Sequence, residues 1–522
     1  MEENGRYRRI NDPVEVKGSP VYITFVEMAD AYIDSLEANV KFSVNDEKEE
    51  SPSTILWAWF LRAGLYELAG EYEAGIALLD KCLEHTPTAV DVYELKARLL
   101  KSSGDINAAV ECLDTGRELD KQDRYINNQT TKYMLHAGML DTALERIALF
   151  TRHEGNPEQN LYDMQCSWYE LDLASALERK EEWGRSLKKY AAVVKHFEDF
   201  HEDQFDFHSY CVRKVTLRAY LDVLRYEDHI WGEEYYRRAA ESTIRIYLHL
   251  YDNPSIAAGE QEPDYSKMTA AQKKKAKAVA RKKKKAAEKK AEETAEKQKE
   301  LEAKENGNKA KKGTSEAEKD TDPDGKEHML KDPLEEANKY SVMLAAHAPG
   351  LLSTWMLRYD VAIRRGKTLI AMQALFKSRA IDAQSSGLFA RIVDFASKAD
   401  EFETDQPAVH GLITDELLVL LNNLSLDKFV AMAAQRVKQD PLASLESRMD
   451  VAKVLVTTKS ASVQDAASII VEGGMNGKGV NVESCRDAFV VLKNFGDEAL
   501  DAKEKWVAAV SKRYPLLKSF DS

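Results

Sequence analysis

The 522-residue chain has few of the residues that make tight turns. It contains 24 glycines and 13 prolines, about 4.6% and 2.5%, where roughly 7% and 5% are usual. Between Glu158 and Asn253 there is no proline and there are two glycines. An all-β protein needs turn residues every 8–12 positions or so. The scarcity therefore argues against that class and favours helices joined by short turns.

Cysteine is also scarce, and none of the five cysteines belongs to a CxxC pair. A zinc ribbon or a dithiol redox motif is therefore not supported. We expect reduced thiols packed among helices instead. The cysteines are Cys82, Cys112, Cys166, Cys211 and Cys485.

Long apolar runs are missing as well. No stretch of about 18 apolar residues predicts a membrane span, and the first residues lack the apolar core of a signal peptide. We therefore expect an intracellular protein, cytoplasmic with a nuclear pool, and no membrane partner.

Acidic residues outnumber basic ones, 88 against 74, which gives a net charge of −14. This average argues against a general nucleic-acid binder and against sequence-specific DNA recognition. The average hides two regions of opposite charge. Residues 267–312 hold 18 basic and seven acidic residues, a charge of +11, so the rest of the chain carries −25.

The clearest internal signal is a period of 34 residues. Gly70, Gly104 and Gly138 follow one another at that spacing. The same step relates Gly75 with Ala109 and Ala143, Leu79 with Leu113 and Ile147, and Ala63 with Ala97 and Thr131. Thirty-four residues is the period of the tetratricopeptide repeat, which is one helix–turn–helix unit.

The repeated residue types have a steric explanation. A glycine suits the end of the first helix, where a left-handed residue is useful. Small residues at the helix contacts let two antiparallel helices approach closely. One hairpin cannot bury its apolar face alone, so hairpins stack into a solenoid. The pattern predicts an all-α, tetratricopeptide-type solenoid, with a generic helical bundle as the alternative.

Further helices follow with a looser period. Leu171, Ala174 and Leu177 predict another hairpin with Ser186, Tyr190 and Val193, and long helices are expected over about 207–227 and 233–251. Trp355, Tyr359, Ala362, Gly366, Ala371 and Leu375 repeat the same pattern later in the chain. We predict a polar segment over 1–22, helical repeats over 23–254, a lysine-rich linker over 255–332 and a C-terminal helical domain over 333–522.

The basic run centres on Arg281 and the four lysines Lys282, Lys283, Lys284 and Lys285. One interpretation is a solubilising, partly helical or disordered linker, because no apolar stripe could dock it. The other is a contact with a polyanion, such as ribosomal RNA, other nucleic acid or an import receptor. No aromatic residue interrupts the run, so we expect no sequence specificity.

A search for catalytic motifs finds none. The loop Gly473–Gly479 lacks the spacing of a phosphate loop and the Ser or Thr after its lysine, so it is predicted to connect two helices. His196, His201 and His208 lie among acids and suggest a metal site, but surface residues at a helix–loop junction explain them better. We predict no metal and no catalytic residue.

A distinctive block follows the repeats. It comprises Asp203–His208, Tyr210–Cys211, Arg213–Lys214 and Thr216–Tyr220, and it closes with Tyr247–Leu248 and Leu250–Pro254. Asp123–Asn127, Lys132–Met134, Met164–Cys166 and the position of the lysine-rich run add to the pattern. From about Pro20 to Ala383, the sequence resembles the large auxiliary subunits of the NatA N-terminal acetyltransferase, entering that family's repeat array after its first repeats.

The resemblance implies a function that periodicity could not indicate. Members of that family are non-catalytic helical-repeat scaffolds that wrap a small GNAT catalytic subunit, shape its active site and hold the complex at the ribosome. The complex acetylates nascent chains with small first residues. The resemblance therefore implies no cofactor of the chain's own, acetyl-CoA on the partner subunit, and inositol hexakisphosphate near the interface. The alternative is a repeat adaptor that tethers partners to RNA or ribosomes without serving an acetyltransferase.

Two groups of residues are candidates for these contacts. Cations and a hydroxyl donor suit a polyphosphate, and the candidates for inositol hexakisphosphate are Lys188, Lys189, Tyr210, Arg213 and Lys214. The candidates for partner binding are Trp183, Phe205, Phe207 and Arg218. The alternative for the cations is pairing with nearby acids such as Asp203, Asp206 and Asp222. The alternative for the aromatic residues is the core of the solenoid.

Overall fold

The structure is a computed structural model of the chain. It describes residues 2–3, 6–7, 13–152, 155–214, 217–257, 322–399, 402, 407–518 and 520. The predicted all-α fold is confirmed, since nearly all of these residues lie in helices or their turns. The described part contains two strands of two residues each, Glu2–Glu3 and Arg6–Tyr7, which pair in antiparallel orientation.

The chain divides into two compact units. The first contains residues 1–150 and 382–522, and the second contains residues 151–381. The boundaries predicted from composition fall elsewhere, after residues 254 and 332. The predicted boundaries follow the change in composition at the lysine-rich segment. The two units follow the packing of the helices, and the helices before and after that segment belong to the same unit.

The first unit begins with stacked helical hairpins. Its helices are α1 (Pro13–Lys17), α2 (Pro20–Asn39), α3 (Thr54–Ala69), α4 (Tyr72–His85), α5 (Val90–Ser102), α6 (Ile106–Leu119), α7 (Arg124–His136) and α8 (Leu140–Ala148). The pairs α3–α4, α5–α6 and α7–α8 are the three copies of the 34-residue period. The predicted repeats are therefore confirmed as helix–turn–helix units.

The periodic glycines take the backbone conformation expected of them. Gly70, Gly104 and Gly138 have φ angles of 69°, 101° and 74°, a left-handed region that L side chains rarely adopt. Each glycine follows the first helix of its hairpin. The backbone N–H of Gly70 donates to Glu67 as the α3 cap. The glycines therefore end the first helices, as the sequence indicates.

The small residues mark close helix contacts. Ala109 and Ala143 have no exposed surface, and a Cβ on Gly75 would collide with the side chain of Leu99. Thr131 replaces the third alanine without leaving a buried polar group unpaired, because its hydroxyl donates to the Asn127 carbonyl at 2.9 Å. Steric fit at these positions sets the distance between helices.

The rest of the first unit consists of shorter helices, α19 (Ser386–Ser397), α20 (Pro407–Leu420), α21 (Leu426–Gln439), α22 (Leu445–Thr457), α23 (Val463–Gly473), α24 (Val482–Asn494) and α25 (Leu500–Arg513). Trp506 anchors the last helix to its neighbours. Its side chain is fully buried, and its Nε1–H donates to the Cys485 carbonyl at 3.1 Å.

The end of α25 is followed by a segment that packs on the repeats. Leu517 is 9% exposed and lies against Gly104, where a Cβ would approach it to 3.0 Å. Lys518 forms an ion pair with the buried Asp105 at 2.6 Å. This contact joins the two parts of the first unit at the turn between α5 and α6.

The second unit holds α9 (Pro157–Asp163), α10 (Ser167–Arg179), α11 (Trp183–Arg213), α12 (Leu217–Glu227), α13 (Glu234–Asp252), α14 (Pro254–Ala257), α15 (Lys326–Met329), α16 (Pro333–His347), α17 (Leu352–Arg364) and α18 (Thr368–Ile381). The predicted α10–α11 and α17–α18 hairpins are confirmed. Gly366 joins the second pair at a φ of 66°.

One helix boundary was predicted wrongly. The sequence predicts one helix over about 207–227, but α11 runs unbroken from Trp183 to Arg213 and α12 is a separate helix. The prediction failed because the apolar spacing of α11 stops before the helix itself ends.

In the described residues, no helix is both long and apolar enough to cross a membrane.

The four cysteines whose side chains are described form no disulfide. Burial raises the pKa of the Cys82 and Cys112 thiols to about 11 and that of Cys485 to about 12. A thiol with so high a pKa is a poor nucleophile at neutral pH. These cysteines therefore behave as packing residues, as expected from their scattered positions.

Candidate functional site

The second half of α11 and the whole of α12 leave the core of their unit. We call residues 198–229 the arm. Phe197 before the arm is 3% exposed and Ile230 after it is 2% exposed. Between them, none of the residues whose burial is described is buried. The described residues of the arm are therefore accessible to a partner.

The sequence of α11 explains where the arm begins. In its first half, Leu187, Tyr190, Val193 and Phe197 recur every three or four residues and are all buried, as one face of a helix requires. After Phe197 the next residues are acidic, so the face that packed on the core ends while the helix continues. The acids are Glu198, Asp199, Glu202, Asp203 and Asp206.

The tip of the arm has the opposite charge. Arg213, Lys214 and Arg218 lie within six positions at the end of α11 and the start of α12, and all three are exposed. Asp222, one of the acids considered as their partner, forms an ion pair with Arg225 at 3.3 Å instead. In the described part of the chain, no ion pair involves Arg213 or Arg218. The arm therefore presents a basic tip on an acidic stem.

The arm also exposes apolar surface. Leu221 and Tyr226 on α12 are 44% and 46% exposed, and Phe200 near the base of the arm is 38% exposed. Aromatic residues and arginines dominate the binding energy of protein interfaces. The combination of exposed rings, an exposed leucine and arginines without an ion pair among the described residues fits a protein partner.

The structure does not bring the predicted phosphate-binding residues together. Lys188 and Lys189 lie near the start of α11, whereas Arg213 is its last residue. At 1.5 Å per residue, these 25 positions span about 38 Å along a straight helix. One inositol phosphate is far smaller than that distance. The basic tip, with Lys214 and Tyr210, therefore forms a separate candidate site, although the Tyr210 side chain is outside the described residues.

Both lysines at the start of α11 have partners in the protein. The Lys188 ammonium donates to the backbone carbonyl of Asp322 at 2.7 Å. Lys189 forms an ion pair with Glu158 at 2.9 Å. These contacts hold neighbouring segments together and give each lysine a structural role.

The segment at Asp322 is anchored tightly on α11. A Cβ on Gly184 would collide with the carbonyl oxygen of Asp324, so the two backbones touch. The Asp322 carboxylate accepts the N–H groups of Lys326 and Glu327, both at 2.8 Å. Burial alone would raise the pKa of Asp322, but these hydrogen bonds lower it below 3.8. The chain therefore returns to α11 after the lysine-rich run, whose residues Lys282–Lys285 lie outside the described residues.

The predicted aromatic anchors divide into two cases. The Trp183 ring packs against the buried core and lies 4.7 Å from the His249 ring, which supports the alternative of a core residue. The side chains of Phe205 and Phe207 lie outside the described residues, so both remain predictions. Arg218 is exposed on the arm.

The histidines near the arm do not gather around a metal site. His196 is 1% exposed, and its Nε2 lies 2.7 Å from Glu170 Oε2. His201 is exposed and lies beside the Trp231 ring. In the part of the chain that the structure describes, no three His, Cys, Asp or Glu residues are close enough together to hold a metal ion. His196 instead links α11 to α10 inside the hairpin.

The glycine-rich loop after α23 is structural, as predicted. A Cβ on Gly473 would collide with the guanidinium of Arg448. That guanidinium is 4% exposed and donates to the carbonyls of Ile469 and Asp440 at 3.2 and 2.8 Å. Gly473 therefore makes room for a buried arginine that ties α23 to the segment before α22.

A groove of about 670 Å³ lies between α22 and α24. Acids and lysines line it together, among them Asp450, Lys453 and Asp487. Burial and the nearby Glu483 raise the pKa of Asp487 above 3.8. The Lys453 ammonium donates to the Asp450 carboxylate at 3.4 Å. Among the residues that line the groove, no nucleophile lies beside a general base. The groove supports no catalytic assignment.

The comparisons with known proteins identify a family that includes the repeat region. The family described as N-terminal acetyltransferase A, auxiliary subunit, matches residues 22–378, from the start of α2 to the end of α18. The chain belongs to this family. The predicted resemblance is therefore confirmed, and the arm lies inside the NatA auxiliary-subunit match, whereas α19–α25 follow it.

Curated relatives support the same family. The auxiliary subunit NAA15 of the N-terminal acetyltransferase A complex of Arabidopsis thaliana is 42% identical over 362 residues, 69% of this chain and 39% of that protein. The mouse NatA auxiliary subunit N-alpha-acetyltransferase 16 is 36% identical over 407 residues, 77% of this chain and 47% of that protein. The chain therefore spans less than half the length of these relatives.

A solved structure has a similar fold. The structure of Naa15/Naa10 bound to HypK-THB matches with a TM-score of 0.59 and 26% identity, covering 76% of this chain and 50% of that chain. The NatA auxiliary subunit family is thus supported by sequence and by fold, and its members are named as auxiliary subunits.

Sequence reasoning missed two features of the arm. It did not identify the acidic stem or the exposed Leu221 and Tyr226. The signal for the stem was present, because five acids and no base occur between Glu198 and Asp206. The exposure of α12 had no such signal, since its amphipathic pattern is the same as that of a packed helix.

Proposed function

We propose that the chain is a non-catalytic scaffold that binds and modulates a GNAT catalytic subunit for co-translational N-terminal acetylation. The observation that carries this proposal is the family match over residues 22–378, which includes the exposed arm. Support also comes from the solved structure of Naa15 with Naa10. This chain is similar in fold to that structure, and that structure is a complex. The proposal concerns this chain alone, which covers half of that solved chain.

The arm is the surface that we assign to the catalytic subunit. Its tip presents Arg213 and Arg218 without an ion pair in the described part of the chain, and α12 exposes Leu221 and Tyr226. An acidic surface with apolar pockets would complement it. Such charge complementarity accelerates association and selects the partner, and buried apolar anchors add most of the affinity.

The proposal is tested by adding this chain to the purified catalytic subunit. Acetylation of peptides that start with Ser or Ala is measured with and without the chain at equal enzyme concentration. We expect a higher kcat/KM for these peptides, or a change of preference among first residues. Unchanged rates and preferences, together with no co-elution of the two proteins, would contradict the proposal and favour a repeat adaptor that serves no acetyltransferase.

We also propose that the basic tip holds inositol hexakisphosphate, through Arg213 and Lys214. Arginine and lysine suit the phosphate groups chemically. Calorimetry with inositol hexakisphosphate should give a Kd that rises about tenfold or more in the Lys214→Glu variant. An unchanged Kd would remove this residue from the site.

Ribosome association is assigned to the lysine-rich run. Four cations at Lys282–Lys285 would each neutralise about one phosphate. Changing all four to glutamine should therefore reduce the slope of log affinity against log salt by roughly three to four. Co-sedimentation with ribosomes at several salt concentrations measures that slope, and an unchanged slope would leave the run as a linker.

A further inference from the structure

Helix α17 carries an arginine without an acidic partner among the described residues. Arg358 is half-buried and lies where α17 packs against α16. Its Nη1 donates to the side-chain oxygen of Asn338 at 3.0 Å and to the Ser341 hydroxyl at 2.8 Å. Both acceptors are neutral. Within the part of the chain that the structure describes, the charge of Arg358 is therefore not balanced by a carboxylate.

Two nitrogens of the Arg358 guanidinium remain open. Its hydrogen bonds occupy Nη1, whereas Nε and Nη2 donate to no group in the described ranges. Neither nitrogen is among the buried polar atoms that lack a partner, so solvent reaches both. An arginine presents Nε–H and one Nη2–H side by side, and the two oxygens of a carboxylate or phosphate group match that spacing. Arg358 thus directs a two-pronged donor towards solvent.

A second arginine adds positive charge beside the first. Arg365 follows α17 directly and lies seven positions after Arg358, which places both on one face of a helix. The Arg365 Nη2 donates to Glu335 at 2.8 Å. Burial lowers the pKa of Arg358, and the nearby charge of Arg365 lowers it further. Because Glu335 balances Arg365, one positive charge remains unbalanced at this place.

The buried Arg448 shows how the same chain uses an arginine for structure alone. Its Nε, Nη1 and Nη2 donate to the carbonyls of Ala443, Ile469 and Asp440. All three nitrogens are used, so no donor is left for a ligand. Arg358 differs because one nitrogen holds the side chain in place and the other two are open. Packing between α16 and α17 explains the first and not the others.

The contacts with α16 fix the guanidinium before any ligand arrives. Ser341 has no exposed surface, and its hydroxyl donates to the Asn338 backbone carbonyl at 3.0 Å, so the acceptor is itself held. A side chain that is already ordered loses less entropy on binding. A partly buried charge without a counter-charge also costs free energy, which an incoming anion would offset. We propose that Arg358, held by Asn338 and Ser341, binds an oxyanion, a carboxylate or a phosphate group, through Nε and Nη2.

This oxyanion site is separate from the basic tip of the arm. The tip uses Arg213 and Lys214 at the end of α11, whereas Arg358 lies on α17 beside α16. A carboxylate would come from an acidic side chain of a partner protein, and a phosphate from a phosphorylated small molecule. The two groups differ in charge and in the number of oxygens. Simple ions therefore distinguish the two sources.

NMR of the isotope-labelled full chain observes the site directly. The Nε–H signal of Arg358 is identified by its loss in Arg358→Lys. The chain would be titrated with sodium phosphate and, separately, with sodium acetate, while sodium chloride keeps the ionic strength constant. We expect a saturable shift of this signal with a Kd on the order of 1 mM for the ion that fits better. The Nε–H signal of Arg448 is the internal control, because that guanidinium has no open donor.

A single substitution should fill the site from within. Asn338→Asp keeps the size of the side chain and places a carboxylate beside the Arg358 guanidinium. We expect the Kd for the better ion to rise about tenfold or more. Asn45→Asp makes the same change at an exposed asparagine between α2 and α3 and should leave the Kd unchanged. Circular dichroism checks that both variants remain folded.

Three results would overturn the proposal. The first is the absence of a saturable shift of the Arg358 signal with either ion. The second is an equal shift of the Arg358 and Arg448 signals, which would indicate a general effect of salt. The third is the same Kd in Asn338→Asp and Asn45→Asp. Equal affinity for phosphate and acetate would support the site and would assign its selectivity to the rest of the ligand.

Discussion

The α3–α8 repeats and the arm are both built from helical hairpins, but their helices differ in what they contact. In the repeats, Leu79, Leu99 and Leu113 have no exposed surface. In the arm, no residue whose burial is described is buried, and Leu221 is 44% exposed. The same secondary structure therefore serves packing in one region and leaves a free surface in the other.

The difference also appears in the charged residues. In the repeats, Asp114 accepts from both Arg117 and Arg146, so acid and base lie together and connect α6 to α8. In the arm, the α11 residues from Glu198 to Asp206 include five acids and no lysine or arginine, and Arg213, Lys214 and Arg218 follow them. Mixed charges satisfy one another inside a structure, whereas separated charges create a field that a partner can recognise.

The largest expected contrast between the two regions comes from the same substitution made in each. Leu113→Ala removes a fully buried side chain and should lower the free energy of unfolding by about 3 kcal/mol, since buried Leu→Ala changes cost roughly 2–5 kcal/mol. Leu221→Ala should cost less than about 0.5 kcal/mol, because the side chain is exposed. Urea unfolding followed by circular dichroism measures both values. Similar losses for the two variants would show that α12 is packed like a repeat helix.

A smaller effect is expected at the charged contact inside the repeats. Burial alone would raise the pKa of Asp114, but the hydrogen bonds from Arg146 and Arg117 outweigh it and lower the pKa below 3.8. Asp114→Asn keeps the shape and removes the charge, and its amide NH2 replaces the carboxylate oxygen that accepts from Arg146 Nη2. We expect a loss of about 1–3 kcal/mol at pH 7.

The pH dependence of that loss follows from the direction of the shift. A carboxyl group with a lowered pKa in the folded state stabilises the protein fully above its unfolded-state pKa, and this stabilisation disappears as the pH falls through the folded-state pKa. The melting temperatures of the wild type and of Asp114→Asn should therefore differ at pH 7 and converge as the pH falls through the lowered pKa of Asp114. A difference that stays constant with pH would assign the loss to packing instead.

The repeats were predictable from the sequence, and the arm was only partly so. Gly70 and Gly104 are required by local backbone geometry, so their spacing carries the information by itself. Lys188 is different, because its partner Asp322 lies 134 positions away and no local pattern predicts that contact. The acids after Phe197 mark the place where α11 leaves the core, whereas the exposure of α12 depends on what the neighbouring helices cover. Sequence patterns thus predict contacts between adjacent helices better than they predict free surfaces.

The smallest effect on stability, and the sharpest test of the arm, is expected from Arg218→Glu. The side chain is exposed and forms no ion pair within the described part of the chain, so unfolding should change by less than about 0.5 kcal/mol. Binding of the catalytic subunit should nevertheless weaken about tenfold, or about 1.4 kcal/mol, because the substitution reverses the charge of the tip. Lys505→Glu on α25 makes the same charge change at a residue 65% exposed and serves as the matched control. Calorimetric titration of the catalytic subunit into each variant measures the affinities. Equal affinities for Arg218→Glu and the wild type would show that exposure alone does not make the arm an interface, and would direct the search to another face of the solenoid.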